Sequence, residues 1–468
     1  MRLWKKILIG FVAFMVLLAG LFVVFIGPWP TYSAGFEGAG YFKNTMARLD
    51  QAAQSVKPQD NPGPLKVGWG TALITPPIGT PLAGYSARMS KPSTGVNDEL
   101  HVKAIAISDG TDTAVLIGAD MLLIPPNIAE PVREQVARET PLKAGNLFFT
   151  ASHTHDGVGA FAPGLVAEFS FGKYNPAIPP MLISAFTKAI VEAYNAMEPA
   201  KLAHGAIDAP QFIRNRARDA GVDPVLNWLL AEKANGKRCF VTRYSAHPTI
   251  LDDDNMLFSA EYPGYLQSAI EKATGATAIF LGGAVGSMSP RAPEAADPIG
   301  RCEAMGQGLA QLVLEAAQNP VFVERADVAS IGIPIDLPPF QMRPLSTKWR
   351  LSPLARRLVG LRATGWMTAV RVGNIVFVNT PGDFSGEIAV TWRQMAANKG
   401  LDLWASGFSG EYAGYISPDR YYLDVRDKRG NPQYETAIMS WFGPHLEGYL
   451  TTLMARMVDS LGKPSSKG

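Results

Sequence analysis

Asn146-Leu-Phe-Phe-Thr-Ala-Ser-His-Thr-His-Asp-Gly-Val-Gly159 is the stretch whose reading decides how this chain folds and what it is for. The apolar run Leu147–Ala151 predicts a buried β-strand. Two of the six histidines, His153 and His155, follow it directly. Side chains two apart on extended backbone point to one face, so both imidazoles can aim at one point. The glycines beyond them let the chain turn away. Neutral imidazole is a zinc ligand and the usual acid/base group near neutral pH. The pair points to a metal-assisted site; the plainer alternative is two polar residues closing a strand into a loop, and the spacing alone does not separate them.

Outward from this stretch, strand-like runs alternate with helical ones. Val102–Ile107, Ala114–Ile117, Arg238–Tyr244, Ala278–Leu281 and Ile375–Val378 read as strands, and Pro180–Met197 and Ala304–Ala317 as amphipathic helices. The alternation predicts a mixed α/β domain with its loops, and hence its sites, gathered at strand ends. Four further strand ends carry chemistry-bearing residues: Tyr244-Ser-Ala-His247-Pro-Thr, the glycine-rich Phe280-Leu-Gly-Gly-Ala-Val-Gly-Ser-Met-Ser289-Pro-Arg, Asn379-Thr-Pro-Gly-Asp383, and Gly410-Glu-Tyr412-Ala-Gly-Tyr415. A serine among glycines can offer a nucleophile or an oxyanion site, although taken alone it reads first as a plain turn serine.

At 47% hydrophobic and 18% charged residues, the chain has the composition of a globular body. Lys plus Arg number 43 against 41 Asp plus Glu, a net +2 that gives nucleic-acid binding no support. Arg2, Lys5 and Lys6 precede an apolar run over residues 7–27, long enough to cross a bilayer as one helix. Pro28-Trp-Pro-Thr-Tyr32 suits the membrane interface. An uncleaved signal-anchor with an exported body is expected; cleavage near Ser33-Ala-Gly35 is the alternative. The expected divisions are a cytoplasmic basic segment 1–6, an anchor 7–27, a juxtamembrane helix and linker 28–64, a folded body 65–460 and a frayed tail 461–468. Cys239 and Cys302 read either as one bridge or as two separate buried thiols. The stretch 338–362 carries prolines, Trp349 and six basic residues. It reads as a solvated excursion or as a loop resting on the membrane.

In order, these pieces resemble one family. Gly68-Trp-Gly-Thr-Ala-Leu-Ile-Thr-Pro-Pro, Gly84-Tyr-Ser, Ala151-Ser-His-Thr-His-Asp-Gly, Arg214-Asn-Arg-Ala, Ala246-His-Pro-Thr, Gly-Ser-Met-Ser289-Pro, Pro381-Gly-Asp-Phe, Tyr412-Ala-Gly-Tyr-Ile, Gln433-Tyr-Glu and Phe442-Gly-Pro-His are similar to the catalytic region of the neutral/alkaline non-lysosomal ceramidases. That family consists of zinc-dependent amidohydrolases that cleave the N-acyl bond of ceramide. The resemblance implies one zinc per chain held by His153, His247, Asp383 and Tyr415. It leaves His155 for the substrate or the attacking water, and gives Arg216 the substrate. Ser289 would be the nucleophile or the partner of the attacking water, and Tyr434 would line the site. Asp120 is a candidate for orienting a ligand histidine, with a strand cap as the simpler reading.

The chain departs from the family pattern in three ways. Asp383 stands where the family has glutamate, with Glu387 as a substitute ligand. The serine segment reads Gly-Ser-Met-Ser-Pro-Arg where the ceramidases have Gly-Asp-Val-Ser-Pro-Asn. The C-terminal immunoglobulin-like domain of the full-length ceramidases is not in this sequence. Three functions follow: a membrane-anchored hydrolase of ceramide or another N-acyl lipid, an amidase or esterase of the same fold with a soluble substrate, or a non-catalytic relative that binds a lipid or envelope component. Oligomeric state is open.

Overall fold

The computed structural model describes residues 3–32, 34–56, 62–218, 220–344, 348–358, 360–423 and 433–462. Residues 1–2, 57–61 of the expected linker and 463–468 of the expected tail lie outside the described residues. The apolar N-terminal run is a single helix, α1 (Leu3–Phe25), with mean hydropathy 3.0 and no buried residue. It begins earlier than the expected anchor and takes in Lys5 and Lys6, whose long stems suit a helix while their charges reach out of it. A second helix, α2 (Gly40–Ala53), buries Thr45 and Leu49 against the body.

The body is built on two sheets. The larger contains β1 (Lys66–Leu73), β2 (His101–Ser108), β3 (Thr113–Ala119), β4 (Leu147–Ala151), β5 (Glu198–Asp208), β6 (Val225–Lys233), β7 (Arg238–Tyr244) and β8 (Thr277–Gly282). Its order is β8-β7-β6-β5-β1-β2-β3-β4, antiparallel within and parallel at the outer pairs β7/β8 and β3/β4. The smaller runs β9 (Val328–Asp336), β10 (Thr364–Val372), β11 (Ile375–Asn379), β12 (Asp402–Ser406), with β11/β12 parallel. Parallel pairs are buried on both faces, and Leu147–Ala151 and Ile375–Asn379 accordingly have every residue buried.

Val67, Ile105, Leu116, Val241 and Ile279 of the large sheet share one core with Val370, Phe377 and Trp404 of the small one. Helices α3 (Pro126–Glu139) and α4 (Ile178–Asn195) cover the large sheet's other side through Ile128, Val132, Leu182 and Phe186. Helices α5 (Glu261–Thr274) and α6 (Pro298–Ala316) close the β7/β8 end with Leu266, Ile270, Leu309 and Val313. The small sheet packs on α7 (Gly386–Ala397), α8 (Leu446–Ser460) and Leu49 of α2. The large sheet curls until its edge strands meet, with Thr150 Oγ1 of β4 donating to Gly282 O of β8 at 3.2 Å. The carboxyl ends of β4, β7, β8, β11 and β12 are thereby brought to one place. Cys239 and Cys302 are separate buried thiols, which settles the alternative left open above.

Candidate metal centre and active site

His153 lies two residues past β4, at φ 70°, a conformation that L side chains avoid at a cost of about 1–3 kcal/mol. Its backbone N–H donates to Met121 O at 2.9 Å, and its ring stacks on Phe408 at 4.3 Å. Its Nδ1 meets Leu122 O at 2.5 Å, which turns Nε2 toward Asp383 Oδ1, 3.1 Å away. His247, just past β7, is fully buried, with Nδ1 3.3 Å from Val285 O and Nε2 2.9 Å from His155 Nε2. His155 is the partly open member of the three. It leans on Tyr85 at 4.6 Å, and Gly84 makes the room, because a Cβ there would lie 2.8 Å from His155 Cβ.

One nitrogen from each of His153, His155 and His247 falls within 4.8 Å of the others. A ring nitrogen that meets a carbonyl oxygen carries the proton, so His153 and His247 present Nε2 lone pairs inward. Burial first, then neighbouring positive charge, holds the His155 and His247 imidazoles well below their usual pKa, in the neutral form that binds metals. Asp383 Oδ1 is buried without a hydrogen-bond donor among the described residues, while Oδ2 accepts from Tyr412 OH at 2.5 Å. Acceptors converging in a dry place repel unless a cation lies among them. Imidazole nitrogens with one carboxylate oxygen are the donor set zinc prefers, so the residues present fit that ion.

The other predicted residues fall around this cluster. Arg216 donates from Nη2 to Tyr415 OH at 2.8 Å and to Gly286 O at 2.9 Å, so the Tyr415 oxygen faces a guanidinium. Its Nε stands 3.5 Å from Glu435 Oε1. Tyr434 is 55% exposed, its ring 5.7 Å from Tyr415, a place at the rim. Ser289 is not in a turn: Met288–Pro290 forms a short strand against Ile213–Asn215, and Ser289 sits opposite Arg214. The turn proper is Val285–Met288.

Glu387 is occupied elsewhere, taking Asn215 Nδ2 at 2.8 Å and the hydroxyls of Ser287 and Ser385. Asp120 caps the start of β2, accepting from His101 N at 2.9 Å, and backbone carbonyls orient the histidines instead.

Tyr412 and Glu435 were not among the predicted site residues. Tyr412 stood in the aromatic turn already singled out, but only the tertiary fold shows which phenol reaches Asp383. Glu435 belongs to the Gln-Tyr-Glu motif and is its buried, charge-paired member, between Arg216 and Arg218 at 3.5 and 3.7 Å. Burial, outweighing both guanidinia, pushes its carboxyl up to about 7.

Fold and site together define a mixed α/β protein with a three-histidine cluster, two of its members buried, and a buried aspartate against His153, at the carboxyl ends of its strands. The chain belongs to the neutral/alkaline non-lysosomal ceramidase family, whose N-terminal domain model matches residues 65–307. A neutral ceramidase from Mycobacterium tuberculosis is 23% identical over 239 residues, 47% of this chain and 37% of that protein, so the match spans well under half of the relative's length. The crystal structure of neutral ceramidase from Pseudomonas aeruginosa shares the fold with a TM-score of 0.74 at 19% identity, covering 85% of this chain and 74% of that one. A ceramidase complexed with C2 gives a TM-score of 0.71 at 18% identity, over 85% and 75% of the two chains.

Proposed function

We propose that this chain is a membrane-anchored, zinc-dependent hydrolase that cleaves the N-acyl amide bond of ceramide or a related N-acyl lipid. The observation that carries the metal is the gathering of one nitrogen each from His153, His155 and His247 within 4.8 Å, with the bare Asp383 Oδ1 3.1 Å from His153 Nε2 and the His153 and His247 protons held on backbone carbonyls. His153, His247 and Asp383 hold the ion, with Tyr415 beside it. When bound, zinc supplies Lewis-acid activation of the amide carbonyl and of the attacking water.

The chain's own residues do the rest. Arg216, fixed by Tyr415 OH and Gly286 O with its side chain 26% exposed, holds the carbonyl oxygen and the negative charge that develops on it. His155, the open imidazole, takes the proton as the C–O bond forms and returns it to the nitrogen as the C–N bond breaks. Ser289 sets the attacking group, and Tyr434 at the rim contacts the entering chain. The products are a fatty acid and a free amine. An anchor on the same chain as the site suits a substrate that lives in the same bilayer, and Arg2, Lys5 and Lys6 at the start of the apolar run support a body on the exported side.

The test is hydrolysis of a fluorescent short-acyl ceramide by the full chain in detergent micelles, with metal content measured on the same sample. About one zinc per chain, with turnover and zinc both lost in His153→Ala, is the expected result. Ser289→Ala keeps zinc and loses turnover. Zinc without turnover on ceramide, but with turnover on soluble amides or esters, would transfer the site to a soluble substrate. A chain that binds no zinc would overturn the reading.

A further inference from the structure

The segment 338–362 is joined to the end of α1. The final turn of a helix leaves carbonyls without partners, and here the body supplies them. Val24 O and Ile26 O accept from the hydroxyl and the backbone N–H of Ser352, and Val23 O accepts from Trp29 Nε1 at 2.7 Å. Trp29–Pro30 then pairs antiparallel with Trp349–Arg350, and Arg350 Nε donates to Pro30 O at 2.9 Å. Gln341 closes the junction by clasping the backbone of Tyr32 through both side-chain atoms, at 2.7 and 2.5 Å. This is a continuous connection between the anchor and the body.

Its neighbours divide by direction. Leu351 packs on the core and Ala355 is buried in it, while Trp349 and Leu354 are 49% and 36% exposed. The stretch from 337 to 363 holds no Asp or Glu, and Arg356 and Arg357 lie in the short helix Ala355–Leu358. An exposed tryptophan and leucine flanked by cations, with no carboxylate among them, match the interface of an anionic bilayer.

We propose that residues 348–357 are a membrane-seating surface, with Trp349 and Leu354 entering the interfacial layer and Arg356 and Arg357 meeting anionic headgroups. The inference rests on the reading of α1 as a membrane span. If α1 crosses the bilayer, Ser352 is bonded to its last turn, and the segment around it is carried to headgroup depth. The body is then held at one height and tilt above the substrate's own membrane.

The test uses the full chain in lipid nanodiscs with an environment-sensitive dye on Leu354→Cys; the native thiols Cys239 and Cys302 are buried and spared. Val321→Cys, at an 86% exposed position not bonded to the anchor, is the comparison. The expected result is blue-shifted emission and quenching by shallow spin-labelled lipid at 354 and not at 321. The quenching deepens when phosphatidylglycerol is added to phosphatidylcholine, and Arg357→Gln removes that increase. A dye at 354 as wet and unquenched as at 321, in chains that do incorporate through α1, overturns the seating surface alone. A chain that fails to incorporate at all overturns the anchor and the surface together. Quenching indifferent to lipid charge overturns the headgroup contact.

Discussion

At Asp383 the two carboxylate oxygens have different surroundings. Oδ2 accepts a hydrogen bond from Tyr412 OH, and Oδ1 is left bare toward His153. The phenol therefore fixes which oxygen faces the cluster, the task that partners of ligand carboxylates perform in metal sites. Tyr412→Phe removes that hydrogen bond and little volume. It is expected to weaken zinc about 10–100-fold with the fold intact, read by competition with a chelator. Unchanged affinity would show that Asp383 is held by its backbone alone. The histidines were legible because His153 and His247 each follow closely on a run that reads as a buried strand. Tyr412 was not: Tyr412 and Tyr415 share one turn, and only the pairing of Asp383–Phe384 with Tyr415–Ile416 decides which hydroxyl meets the carboxylate.

At the scale of elements, the site depends on two loops touching backbone to backbone. Gly286 N donates to Phe384 O at 2.9 Å, and a Cβ on Gly286 would lie 2.5 Å from Asp383 O. Gly286→Ala must push the Asp383 turn away, and overpacking of this kind costs about 1–3 kcal/mol. The expected outcome is a lower melting temperature together with weaker zinc retention. Gly221→Ala, where a Cβ meets nothing within 4 Å, is expected to stay within about 0.5 kcal/mol of the native protein. Equal losses in both variants would deny the close approach its role. Strand positions such as Leu147–Ala151 and Arg238–Tyr244 could be read from apolar runs, and helices from their period. The order of the large sheet could not, since it depends on which distant runs pair. The same blindness hid the short strand at Ser289, whose partner, Ile213–Asn215, lies more than seventy residues earlier.

Across the whole molecule, buried charge ties the two sheets together and sets how the protein responds to acid and base. Asp223 is fully buried, with Arg243 at 2.8 Å, Arg393 beside it and Ser245 Oγ at 2.7 Å; Arg243 Nε reaches on to Ala405 O of β12 at 2.8 Å. Removing one partner of such a pair leaves a buried charge alone, so Asp223→Asn is expected to cost about 3–5 kcal/mol, measured by denaturant unfolding. Asp120 acts in the other direction. Burial, aided by the charge of Asp98 and opposed by Lys103 and the His101 N–H, pushes its carboxyl up to about 7. The unfolded chain releases that proton near pH ~3.9. The native state therefore holds a proton that the unfolded state has lost. The stabilisation is complete below that lower value and disappears as pH rises through about 7. Asp120→Asn is neutral at every pH and keeps an oxygen for the His101 N–H. Its thermal stability is expected to fall less steeply over that window, by on the order of 1 kcal/mol per pH unit. Parallel stability–pH curves for the variant and the native protein would mean that Asp120 is already ionised when folded, with Lys103 and the His101 N–H outweighing its burial.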